Sequence, residues 1–116
     1  MLSIVGAVNT LNNGKVVMND YAKSESNVDR AVKVLKAIGH KHRLMILCAL
    51  QEKELSVSQL NALFPMPQST LSQHLSWLRQ ESLVKTRRDA QTIFYALNSH
   101  EVTEIISVLH KLYCEA

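Results

Sequence analysis

A mainly helical fold carrying one β-hairpin near its C-terminal end is what this sequence predicts, and three observations predict it. Apolar residues recur at helical spacing in segment after segment from Val28 to Tyr113. One stretch alone, SLVKTRR followed by QTIFYAL, is rich in Val, Ile, Thr and aromatic residues on either side of a short turn. The 116 residues, 47% hydrophobic and 20% charged, suit one compact domain and exclude a disordered chain.

Residues 1–23, with Gly6, Gly14 and several Asn but no sustained period, read as a flexible N-terminal tail, and Met18 stands as an alternative start. The domain is expected over 24–116. From Ser24 or Ser26 as N-cap, the segment NVDRAVKVLKAI sets Val28, Ala31, Val32, Leu35 and Ile38 on one helical face, and Gly39 stops it. HKHRLMILCALQ is apolar nearly all round and reads as a central helix, with Leu44, Leu47, Cys48 and Leu50 in the core.

Ser56 then precedes the short amphipathic helix VSQLNALF, and FPMPQ breaks the chain before the next helix begins at about Gln68. In that helix Leu71, Leu75 and Leu78 form an inward stripe at i, i+4 and i+7, while the opposite face is short, polar and uncharged. The hairpin turns around Asp89 and Ala90. The last segment opens with Asn98 and Glu101 in capping-box spacing and aligns Val102, Ile105, Ile106, Leu109, Leu112 and Tyr113. Such a stripe on a terminal helix invites a partner. The order α-α-α-α-β-β-α is that of a winged helix-turn-helix domain.

That order makes double-stranded DNA the expected partner. A recognition helix must enter a major groove about 12 Å wide, offer hydrogen-bonding groups to base edges and keep its other face on the core. Gln68, Ser69, Thr70, Ser72, Gln73, His74 and Ser76 are the candidates on this helix, with Gln73 suited to bidentate pairing with adenine. On the hairpin, Lys85, Arg87, Arg88, Gln91 and Thr92 would reach the neighbouring minor groove or phosphates. A net charge of +3 agrees with a phosphate-backbone partner but also occurs in proteins that touch no nucleic acid.

Other classes find little support. No nucleophile with a matched base, phosphate loop or metal cluster stands out, so neither an enzyme nor a cofactor is expected. The apolar start MLSIVGAV lacks a preceding basic segment and is followed by Asn9, Asn12 and Asn13, which argues against a secretory signal. No run reaches membrane-spanning length, and a cytoplasmic location is the expectation. Cys48 and Cys114 lack the close spacing of a zinc ribbon or redox pair. A bridge between distant cysteines in the cytosol would be a switching event rather than a staple.

The strings LKAIGHKHRLMILCAL, ELSVSQL and STLSQHLSWLRQESLV, with the RR…IFYAL hairpin, resemble the ArsR/SmtB family of winged-helix regulators over roughly residues 28–116. The resemblance implies a homodimer built on the first and last helices, and so a pseudo-palindromic operator. Many relatives release DNA when metal binds. Where one family site has Cys-Val-Cys this chain has Ser56, Val57 and Ser58, and hydroxyls are poor ligands for thiophilic ions. The site on the final helix finds Asn98, His100, Glu104 and His110, with an Asn replacing the acid and a histidine out of register. No metal site is therefore expected.

Within the family, Cys48 and Cys114 resemble the paired cysteines of a persulfide-sensing branch. The AQT tripeptide at the hairpin tip points the same way. The resemblance implies a repressor that binds DNA when reduced and lets go when reactive sulfur species link the two cysteines. Without the resemblance, Cys48 reads as a small core residue and Cys114 as a frayed terminal one. A metal-responsive regulator, or one with no ligand switch, is the alternative.

Overall fold

The computed structural model describes residues 18–114, with side-chain environments from Ser24 onward. The chain divides into two units, 1–36 and 37–116. The first contains most of α1 (Met18–Ile38), a helix of 21 residues. It begins at Met18, so Ser24 and Ser26 lie inside it and neither is its N-cap. The first turns lack an apolar period, and for that reason the sequence reading placed 18–23 in the tail. Residues 1–17 of that tail lie outside the described residues.

The second unit holds α2 (Lys41–Ala49), the two-residue strand β1 (Leu55–Ser56), α3 (Val57–Leu63), α4 (Gln68–Gln80), β2 (Val84–Asp89), β3 (Thr92–Leu97) and α5 (His100–Tyr113). Its core is aliphatic: Ile46 and Leu47 of α2, Leu60 of α3, Leu71, Leu75 and Leu78 of α4, and Val102 and Ile106 of α5 all lose essentially all solvent contact. Leu44 and Cys48, expected inside, are half-buried. This is a winged helix-turn-helix architecture, with one strand more than the sequence reading foresaw.

That strand closes the sheet in the order β1-β3-β2, antiparallel throughout. Leu55 pairs with Tyr95 and Ser56 with Phe94, while the hairpin runs in register from Val84 with Leu97 to Asp89 with Thr92. Ala90 turns the hairpin with φ of 56°, a left-handed value that glycine adopts more readily. Ser99, one residue later than expected, caps α5: its hydroxyl accepts from Val102 N–H at 3.2 Å. Asn98 instead donates its side-chain amide to the Ser82 carbonyl at 3.1 Å. Glu101 keeps a role by accepting from the Ser99 hydroxyl at 3.0 Å.

Candidate functional site

The helix pair that would read DNA is built by local rules. Ser56 caps α3 reciprocally: its hydroxyl accepts from Gln59 N–H at 3.2 Å and its own N–H donates to Gln59 Oε1 at 2.9 Å. Phe64 to Pro67 then turns the chain, with Met66 buried beneath it. The Leu71, Leu75 and Leu78 stripe seats α4, and its opposite face follows from the 3.6-residue period. Gln68, Ser69, Ser72, Gln73 and Ser76 are exposed there, while Thr70 and His74 are half-buried on its flanks.

One contact joins α4 to α2, and another ties α2 to the end of α1. The Arg43 guanidinium lies 4.2 Å from the centre of the Trp77 ring, and Arg43 Nε donates to the Ala37 carbonyl at 3.0 Å. Beside them the imidazoles of His40, His42 and His74 gather, with ring centroids 4.7 to 5.8 Å apart. His40, extended at the start of α2, caps it by accepting from His42 N–H at Nδ1, 3.2 Å away. Partial burial, then the neighbouring charges of His40, Arg43 and His42, hold the His74 pKa below the ordinary histidine value.

The wing divides its cations. Lys85, Arg87 and Asp89 share one face of β2, and Arg88 lies on the other with Thr86. Arg87 meets the Glu54 carboxylate with Nε at 3.0 Å from Oε1 and spans the Phe94 ring at 4.7 Å. Its hydrogen bond, followed by the charges of Arg87 and Lys85, holds the Glu54 carboxyl below its usual range. Arg87, expected to approach DNA, is thus already engaged within the wing. Lys85, Arg88, Gln91 and Thr92 are exposed as expected. Glu54 escaped the sequence reading because only the β1 pairing brings it to residue 87.

At the far end of α2, Cys48 is half-buried and Cys114, just past α5, is exposed; both are free thiols. Helices α2 and α5 pack together. Burial, and then the nearby Cys114, push the Cys48 thiol up. His100 and Glu104, at the place of the family's final-helix metal site, which this chain was not expected to keep, approach at 3.8 Å and remain largely exposed. Among the described residues, no helix is long and apolar enough to cross a membrane.

Comparison with known proteins agrees with this architecture. Residues 40–86 match the family described as bacterial regulatory protein, arsR family. The chain is 52% identical over 92 residues to the transcriptional activator HlyU of Vibrio cholerae, spanning 79% of this chain and 85% of that protein. The structure of reduced HlyU from Vibrio cholerae superposes with a TM-score of 0.77 at 50% identity, over 80% of this chain and 98% of that one. The transcriptional repressor BigR from Xylella fastidiosa gives 0.74 at 33% identity, over 83% and 98%. With its leucine-seated reading helix and its hairpin wing, the chain belongs to the arsR family of bacterial transcriptional regulators, and not to a family of enzymes.

Proposed function

We propose that this regulator works as a homodimer on a pseudo-palindromic operator, and that it releases the operator when a persulfide or polysulfide links Cys48 to Cys114. The DNA reading rests on α4: three fully buried leucines hold a face of Gln68, Ser69, Ser72, Gln73 and Ser76 outward, flanked by Thr70 and His74. Gln73 reads a base edge, and the hydroxyls serve bases or phosphates. Lys85, Arg88, Gln91 and Thr92 extend the contact through the wing.

Dimerisation through α1 and α5 is supported by what each leaves uncovered. On α1, Val32 and Leu35 are exposed; on α5, Val108, Leu112 and Tyr113 are. A two-fold axis then pairs two α4 helices with half-sites about one turn of DNA apart. The proposed setting is the cytoplasm.

For the switch, the supporting observation is that α2, which carries the half-buried Cys48, packs against α5, which ends beside the exposed Cys114. It joins the resemblance to persulfide-sensing relatives. Exposed Cys114 attacks the outer sulfur of a persulfide, R–S–SH, and a thiol, R–SH, leaves after protonation. Cys48 thiolate then displaces hydrosulfide from the Cys114 sulfur, giving a disulfide. If both cysteines are first persulfidated, they condense to a trisulfide with loss of one hydrogen sulfide. Either bridge ties α2 to the end of α5. That tie favours a conformation in which the paired α4 helices no longer match their groove spacing.

The test measures affinity for the protein's own promoter before and after glutathione persulfide, with peroxide and zinc as controls and mass spectrometry of both cysteines. Loss of binding with a Cys48–Cys114 bridge supports the switch. A Cys48→Ser or Cys114→Ser protein that still releases DNA on persulfide treatment overturns it, and failure to bind any duplex overturns the DNA reading itself.

A further inference from the structure

We propose that His40, His42 and His74 form a binding site for a divalent transition-metal ion of borderline softness, such as Zn²⁺, Co²⁺ or Ni²⁺, joining the start of α2 to the recognition helix α4. It is separate from the serine-substituted site at Ser56–Ser58 and from the α5 histidines, and it does not rest on the thiol switch.

Each histidine offers one nitrogen, and the three nitrogens lie within 4.8 Å of one another. Around a tetrahedral ion with metal–nitrogen bonds of about 2.0–2.1 Å, ligand nitrogens sit about 3.4 Å apart. The cage therefore has to contract by about 1.4 Å at most, within reach of small side-chain rotations. Three imidazoles with a fourth position left to water suit ions of this class, whereas hard cations prefer oxygen ligands.

A metal ion needs imidazole in its neutral form. His42 and His74 are both half-buried. His40 has a structural task, capping α2 through Nδ1. A neutral His40 that accepts at Nδ1 carries its proton on Nε2. Ligation through Nδ1 consumes the accepting lone pair, and ligation through Nε2 moves the proton onto Nδ1. By either route the ion replaces the α2 cap, so occupancy acts directly on the first turn of α2.

The placement gives the site a consequence for α4. His74 follows Gln73 on the helix proposed to face DNA, and an ion held by His40 and His42 fixes that helix to α2 at a second point beside the Arg43–Trp77 stack.

The experiment is titration of the reduced, full-length protein with Co²⁺, repeated on C48S/C114S so that thiolate ligation is removed. The expected result is one Co²⁺ per protomer in both proteins, with visible d–d absorption and no thiolate-to-cobalt charge transfer in the Cys variant. Zn²⁺ should displace it and raise the thermal midpoint. His42→Asn and His74→Asn should each weaken binding at least about tenfold, while His110→Asn leaves it unchanged. Far-ultraviolet circular dichroism of the metal-free variants identifies one that has merely unfolded, and the folded variant then decides. Absent Co²⁺ binding, or binding that survives in the folded His42 or His74 variant, overturns the site. These readouts need neither DNA nor persulfide, so the site and the sulfur switch fail separately.

Discussion

Arg87 closes on Glu54 across 33 residues of sequence, with Nη2 2.5 Å and Nε 3.0 Å from the same carboxylate oxygen. The ring of Phe94 lies beneath the guanidinium. The pair is open to solvent, so its weight falls on the wing's charge rather than on stability.

Glu54→Gln should release the Arg87 charge toward DNA. Binding should tighten, and the slope of log affinity against log salt should steepen by about one. Arg88→Ala should make the slope shallower by about one in the parent protein. Arg87→Ala should change it less than Arg88→Ala does. Salt titration of duplex binding by fluorescence anisotropy measures all three.

Leu75 and Gln73 sit on opposite faces of one helix and should fail in opposite ways. Leu75→Ala opens a cavity in the core and should cost about 2–5 kcal/mol in denaturant unfolding. Gln73→Ala should alter stability by less than about 0.5 kcal/mol. It should nonetheless relax discrimination at one base pair of the operator, by about 1–3 kcal/mol.

Ala90 holds a positive φ of 56° at the hairpin turn, where its Cβ crowds the backbone. Ala90→Gly relieves that crowding but loosens the unfolded chain, and the first effect should win by roughly 0.5–1 kcal/mol. Thermal unfolding checks it. An unchanged or lowered midpoint would mean the turn is not strained.

His74 binds a proton less readily in the fold than in the unfolded chain, where histidine titrates near 6.5. Below that pH the unfolded state holds more protons, so stability falls as pH drops from 6.5 toward the depressed native value and is complete above it. His74→Gln should flatten the stability profile over that window. Equilibrium denaturation at a series of pH values gives the comparison.

Cys48 ionises later than a model thiol, whose value is 9.0. Its alkylation by iodoacetamide should be slow at neutral pH and still rising beyond pH 9.0, because the thiolate is the reacting form. Cys114→Ser removes the second cause and leaves burial, so the profile should move part of the way back. Mass spectrometry of the modified peptide follows the reaction.

Periodicity made the helical frame legible before any coordinates: Leu71, Leu75 and Leu78 announce the buried face of α4 by spacing alone, and all three are fully buried. The hairpin was equally plain from its β-branched run. What stayed hidden depends on distance. Strand β1 has two residues, too few to show alternation, and exists through its pairing with β3. The Glu54–Arg87 clamp follows from that pairing, so no local rule could have found it. His40 and His42 lie 32 residues or more from His74 in sequence, so no local pattern announced that the three would gather. The cap of α5 was missed by one position because Asn98 and Ser99 are both good capping residues, and the backbone chose the second.

The outward face of α4 from Gln68 to Ser76 carries no permanent charge. Under the proposed DNA reading, Coulombic attraction to the duplex would come from outside the surface offered to bases, so scanning along the genome and stopping at the right address would fall to different side chains. Evolution could retarget such a regulator by exchanging serines and glutamines on one helix, leaving its rate of one-dimensional sliding as it was.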